Sequence, residues 1–373
     1  MKPERIVVIG GGIAGLATAW NLAEKSQGKR RVTLLEAESA FGRHSSGRSA
    51  SILRTASVDP INHEWSRRGA QLLRSVDRRQ FDGPLVDPRG LLLTADASHA
   101  DKFEQALGHL DGSIRFERLE RPRLPYDRRE AQLGAHFPDE GRIWSERLIA
   151  GLATSARRAG VELRPGTQIT ELALGVDVPF RLRIKDGDAV EADRVVIAAG
   201  GWAEELGRAA GSSVTLQPTR RHIGVFGGRG PVPADAPVVW HLGNDEFYYR
   251  PEGDGLLVCA CDQTRVSAPP PLDPGIEETL IRRALGHLNA TTARHTTRLW
   301  SGCRTMTTDG RFCIGPDPGV DGLFWVAGLG GAGMTAGLEV GRLAARWIEG
   351  SNEDRELARA SSPSRLSTSS VTK

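Results

Sequence analysis

The chain opens on Arg5-Ile-Val-Val-Ile-Gly10-Gly-Gly12-Ile-Ala-Gly15, and a second apolar run, Val32-Thr-Leu-Leu, ends on Glu36. Residues of these types in this order can hold a dinucleotide. Gly10 permits a tight turn off a first strand, Gly12 lets the backbone approach a pyrophosphate, and Gly15 lets the following helix pack closely on the sheet. The Glu36 carboxylate then accepts from a ribose hydroxyl, and the pyrophosphate belongs on the N–H groups at the helix start, where the dipole favours negative charge.

These groups need a frame. The fingerprint helix is expected over Ile13 to Lys25, followed by a loop dense in donors and hydroxyls from Phe41 to Ile52 and a charged helix from Trp65 to Phe81. From Gly83 to Gly141 the text changes to short strands, proline-broken turns and a polar helix near Ala97–Leu110. Helical periodicity returns over Glu146–Ala159, then strands at Glu162–Arg164 and Ile169–Leu174 and a hairpin from Phe180 to Lys185. Asp193-Arg-Val-Val-Ile-Ala-Ala199-Gly-Gly-Trp202 reads as a buried strand breaking into a glycine turn. Between Val214 and Ser301 the pattern is mostly strands (Val214–Phe226, Val238–Leu242, Phe247–Arg250, Leu256–Cys261) with one helix near Ile276–Leu288. A last strand, a glycine turn at Gly330–Gly333 and a long helix reach Gly350, and the serine-rich remainder, without an apolar stripe, is expected to be disordered.

The fold class is therefore α/β. A Rossmann-like FAD-binding domain (residues 1–80, 142–212 and 302–350) is interleaved with an α+β substrate domain on a largely antiparallel sheet (81–141 and 213–301), and 351–373 form the tail. A chain of 373 residues suits two such lobes. A formal charge of +3 is too small and too mixed in sign for nucleic acid, and no apolar run is long enough to span a membrane. The start has no signal-peptide core, and the four cysteines show neither metal spacing nor a disulfide framework, which fits a reducing, cytoplasmic setting. Cys259 and Cys261 are expected on one face of a strand as packed thiols.

Three features favour FAD over a nicotinamide. The loop after Glu36 is placed to wrap an extended cofactor, the turn at Ala199-Gly-Gly-Trp lies where a strand could pass beneath it, and Gly330-Gly-Ala-Gly333 opens a helix whose amides could stabilise a reduced ring. Cofactor contacts are expected from Gly10, Gly12, Ile13, Ala14, Gly15, Glu36, Ala37, His44, Ser45, Ser46, Gly47, Arg48, Ser49, Ala50, Gln168, Gly200, Gly201, Trp202, Gly330, Gly331, Ala332, Gly333, Met334 and Thr335.

With Ser45-Ser-Gly47-Arg48-Ser-Ala between these glycine turns, the chain resembles the D-amino-acid oxidase family of flavoproteins, over nearly its whole length to Gly350. Within that family it looks most like the D-arginine dehydrogenase type, through His44–Ala50, Leu216-Gln-Pro-Thr-Arg220-Arg221, Phe247-Tyr248, Trp300-Ser-Gly-Cys-Arg304 and the terminal glycine turn. The resemblance implies oxidation of an amino acid's C–N bond by hydride transfer to FAD, giving an imino acid that water hydrolyses to a 2-oxo acid. It assigns Arg221 and Arg304 to the substrate carboxylate, which suits the planar two-donor fork of arginine, and Tyr248 as a hydroxyl closing on the same group.

No general base is needed, and His44 reads as a cofactor contact or loop residue. In the sarcosine-oxidase branch a cysteine bonds the flavin; here Gly302 takes that position and Cys303 is one residue off, so non-covalent FAD is implied. Arginine-preferring relatives have an acid after a Pro-Arg pair, which Pro88-Arg89-Gly-Leu91 lacks, so the substrate leans to a small or apolar amino acid. A secondary amine (sarcosine, proline or an opine) acted on by one subunit of a complex, and a catalytically silent flavoprotein partner, are the competing readings. Oxygen, a quinone or a protein as electron acceptor, and the oligomeric state, stay open.

Overall fold

Alternate residues of the first strand, Glu4–Ile9, feed two different cores: Ile6 and Val8 on one side of a sheet, Val7 and Ile9 on the other. Only a strand buried on both faces reads as a continuous apolar run, and a parallel sheet produces this. The computed structural model describes residues 2–26, 28–122, 131–175, 178–227, 233–287 and 296–367. Its first sheet has the order Cys313–Pro316, Leu323–Ala327, Arg194–Ile197, Glu4–Ile9, Arg30–Leu35 and Glu162–Arg164, parallel except for the first edge strand.

Helices Ile13–Glu24, Pro60–Ser75, Ser145–Arg158 and Gly333–Ile348 cover one face. The other is covered by a small antiparallel sheet of Ile169–Leu174, Phe180–Ile184 and Val190–Ala192. The first and last of the four helices touch backbone to backbone. A Cβ on Gly341 would lie 2.4 Å from the Ala17 Cβ, which only glycine tolerates.

The second sheet is nine-stranded, and its neighbours are antiparallel except where Val238–Leu242 meets Leu91–Ala95. Its long strands Gln217–Phe226 and Thr296–Met306 pair over ten residue positions and reach towards the first sheet. A short three-stranded sheet of Ile52–Leu53, Gly141–Ile143 and Val86–Asp87 joins segments far apart in sequence. No helix among the described residues is long and apolar enough to cross a membrane.

Three expectations change. The helix expected over Trp65–Phe81 runs instead over Pro60–Ser75: Asp59 caps it by accepting from the Asn62 amide at 2.9 Å, and Pro60 occupies its first turn. The expected hairpin from Phe180 is the middle strand of three. The strand carrying Cys259 ends there and Cys261 lies beyond it with a φ of 53°, yet the two thiols still hydrogen-bond and pack against one core.

The tail is also ordered over most of its length. Arg355–Ser361 form a helix, Pro363–Leu366 a further turn, and Leu357 and Leu366 are buried. The Trp65 indole donates to the Ser361 hydroxyl at 3.0 Å, and the Arg365 guanidinium pairs with Asp309 and donates to the Arg311 and Phe312 carbonyls. Two isolated leucines and buried polar contacts anchor this segment, so it carries no periodic signal. Replacing Ser361 with alanine is expected to strand the Trp65 N–H and cost about 1–2 kcal/mol. Thermal denaturation would register this as a drop of a degree or two, and an unchanged midpoint would mean that the tail contributes nothing.

Candidate active site

A cavity of about 820 Å³ runs from the C-terminal ends of the parallel strands to the face of the second sheet. Every residue expected to meet cofactor or substrate lines it except Gly15, Gly47 and Gly201. Those three are packing positions instead. A Cβ on Gly15 would lie 1.9 Å from the Gly10 carbonyl oxygen, one on Gly47 2.3 Å from that of Gly42, and one on Gly201 2.8 Å from the Cys303 sulfur.

At one end Gly10 adopts a φ of +110°, with its Cβ position 2.5 Å from the Ala198 carbonyl, so the turn requires glycine. The Gly11 amide donates to Glu36 Oε2 at 2.6 Å, which fixes that carboxylate at the mouth of the first helix. Ser46 accepts from the Ile13 amide at 3.0 Å and so brings the loop over the helix N-terminus. Arg48 donates to the Ser301 carbonyl at 3.3 Å, and Trp300 donates to the Arg48 carbonyl at 3.0 Å, which fastens the same loop to the second sheet. His44 is held by Glu38 at 2.8 Å and stands edge-on to Trp202. These contacts leave an elongated slot lined by backbone amides, hydroxyls and one acid, and the helix start at Gly333 opens onto its middle. A slot with this lining could hold an extended dinucleotide.

At the other end, sheet register decides which side chains converge. Thr219 pairs with Arg304 and Arg221 with Gly302, so Arg221 and Arg304 are diagonal neighbours on one face, about 7–8 Å apart at the backbone. Arg220 faces away and pairs with Asp273 at 2.6 Å. Arg221 is only 6% exposed. One of its nitrogens reaches Gln263 at 3.4 Å, while its Nε and Nη1 are buried without an acceptor among the described residues. Burial opposes its charge, but Cys259, Cys261, Tyr248 and Asp262 outweigh that and raise its pKa. The Arg304 guanidinium lies against Gly331, where a Cβ would come within 3.0 Å of it, and makes no hydrogen bond to a described protein acceptor.

Tyr248 pairs with Cys259 and Trp240 across the sheet and is buried on the cavity face, whereas Tyr249 packs in the opposite core. Burial holds the Tyr248 phenol above its ordinary range, so it stays a neutral donor. Burial also pushes the Cys259 thiol up, but the hydrogen bonds from Cys261 and Tyr248 and the two arginines prevail and bring it to about 6.

Several lining residues were not singled out by the sequence: Arg54, Asn62, Trp240, Glu246, Gln263 and Met306. Arg54 stands over the Trp240 ring, 3.8 Å from its centroid. Glu246 accepts from the Trp240 indole at 2.9 Å and faces Lys102 at 3.6 Å; burial opposes its charge, but Lys102, the indole bond, Arg54 and Arg221 outweigh that and lower its pKa. The one available signal was alternation, since Arg54 lies two residues beyond Ile52 in an extended segment.

Residues 5–347 match the model of the DAO family, described as FAD dependent oxidoreductase. Glycine oxidase of Geobacillus kaustophilus is 26% identical over 92% of this chain and 92% of its own. Dimethylglycine dehydrogenase of Rattus norvegicus is 27% identical over 92% of this chain but only 42% of its own length. The solved structure of L-proline dehydrogenase from P. horikoshii superposes with a TM-score of 0.85 at 18% identity, covering 98% of both chains, and shares the fold. With the dinucleotide slot, the glycine turns and a matching family model spanning nearly all of it, the chain belongs to the DAO family of FAD-dependent oxidoreductases.

Proposed function

We infer that the protein oxidises the C–N bond of an amino acid or of an N-substituted amino acid to the imine, which water hydrolyses to the 2-oxo product. The observation that carries this is the diagonal pair Arg221 and Arg304, both lining the cavity, most of whose N–H groups find no acceptor among the described residues. A planar carboxylate satisfies both forks, and a buried cation left without one would be costly. FAD, when bound, accepts the hydride from the substrate Cα.

The residues of this chain do the positioning. Arg221 and Arg304 fix the carboxylate, and Tyr248, neutral at working pH, turns its single O–H from Cys259 to that group without repulsion. The amine loses its proton to water, so the reaction needs no general base on the protein. Burial pushes the Cys303 thiol up to about 11, so it is un-ionised and a poor nucleophile, which supports non-covalent attachment of the cofactor. Four free cysteines suit a reducing, cytoplasmic compartment. The names of the relatives (glycine oxidase, dimethylglycine and proline dehydrogenases) favour glycine-like and N-substituted substrates alongside D-amino acids.

Anaerobic addition of D-amino acids, glycine, sarcosine and proline to desalted holoenzyme is expected to bleach the visible flavin band with at least one of them. Protein that is colourless as purified and after reconstitution, or flavin that no amine reduces, would falsify the reading.

A further inference from the structure

The substrate end of the cavity holds a third arginine that the carboxylate clamp does not use. Arg54 follows the short strand Ile52–Leu53, and its guanidinium lies face-on to Trp240, whose ring centroid is 4.5 Å from that of Tyr248. It therefore stands beside the tyrosine that borders the clamp, and it lines the same cavity. With its central carbon over the indole, Arg54 keeps N–H donors available, because those donors lie around the rim of the guanidinium plane and the ring offers them no lone-pair acceptor. Arg54 makes no ion pair and donates no side-chain hydrogen bond to any described residue. The acid that acts most strongly on its charge, Glu246, is already engaged by the Trp240 indole and by Lys102.

One α-carboxylate satisfies Arg221 and Arg304 and leaves Arg54 an unmatched cation in a largely buried site, which is unfavourable unless the ligand brings a second anion. We propose that the substrate carries a second carboxylate and that the edge of Arg54 receives it, with Trp240 fixing the plane of the fork. The candidate class is thus an acidic amino acid or an N-carboxyalkyl amino acid, not the small apolar one that the sequence suggests. The inference rests on the reading of the cavity as an amino-acid site. Within it, Arg54 sets specificity and the clamp sets orientation.

Matched acid and amide pairs isolate the second charge: aspartate against asparagine and glutamate against glutamine, each enantiomer, with iminodiacetate against glycine. Holoenzyme is expected to show kcat/KM at least tenfold higher for the acid of the preferred pair. In Arg54→Met that ratio should fall to about one, whatever turnover remains, while Arg54→Lys keeps part of it through charge without the fork. Equal or better turnover of the amide by the unaltered enzyme overturns the proposal, as does an Arg54→Met ratio that stays at its original value with the flavin spectrum intact. Bleaching by neutral amino acids only removes the second carboxylate and leaves the amino-acid reading standing. Bleaching by none of the panel removes both.

Discussion

Replacing Arg304 with methionine is expected to lower kcat/KM for a carboxylate substrate by roughly 30-fold to several thousand-fold, since truncating one partner of a buried charge pair costs about 2–5 kcal/mol. Most of the loss should appear in KM, because the arginine holds the carboxylate in ground state and transition state alike. Some falls on kcat, since a substrate held only by Arg221 no longer presents its Cα in one orientation. The flavin spectrum should be unaltered: Arg304 rests against Gly331 but hydrogen-bonds none of the groups that build the cofactor slot. Arg220→Met is the matched control. Its side chain lies on the opposite face of the same strand, paired with Asp273, and its loss should leave KM close to the original value. Saturation kinetics on both variants decide the matter. An Arg304→Met protein that loses its flavin, or that saturates as the original does, would mean that the carboxylate sits elsewhere.

What the sequence makes legible is whatever is local. The fingerprint from Gly10 to Glu36 is strand, turn, helix and strand within one stretch; Gly15 answers a contact inside it, with the Gly10 carbonyl, whereas Gly10 and Gly12 also face Ala198 and Ser46 from beyond it. The separation of Arg221 from Arg220, and of Tyr248 from Tyr249, follows from strand alternation alone, since one parity faces the cavity and the other does not. Pairing of distant segments is different. Arg54 meets Trp240 across 186 positions of chain, and Glu246 enters the cavity because its neighbour strand turns back there, so beyond the two-residue step from Ile52 to Arg54 no spacing in the sequence marks either. The ordered tail was missed for a related reason: Trp65 and Ser361 are 296 residues apart, and a single buried hydrogen bond has no period. The start of the second long helix, by contrast, was legible and overlooked, for Asp59-Pro60 is a cap followed by a first-turn proline.

Replacing Glu140 with glutamine is expected to stabilise the protein at alkaline pH and to leave it almost unchanged at acid pH. Glu140 lies in the turn before Gly141–Ile143 and is 1% exposed. Its Oε1 accepts from the amide of Thr55 at 2.8 Å and from the Thr55 hydroxyl, while Oε2 is buried with no partner. Burial raises its pKa from 4.5 to about 7; the Thr55 bonds and the more distant charges of Arg74 and Arg54 pull the other way without matching it. A folded-state pKa above the unfolded one means that the native state binds the proton more tightly. The associated stability is therefore complete below about pH 4.5 and is lost as pH rises through 7, amounting to about 3 kcal/mol above that point. The amide keeps the acceptor for Thr55 and carries no charge, so its stability has no such slope. For a chain of 373 residues the gap between the two melting midpoints should widen by about 4 °C from pH 5 to pH 8. Because the Glu140 charge also acts on Arg54, which directly precedes Thr55, the same titration should move KM for a dicarboxylate and spare the glutamine variant. Melting curves that run parallel at every pH would show that Glu140 titrates as an ordinary surface acid.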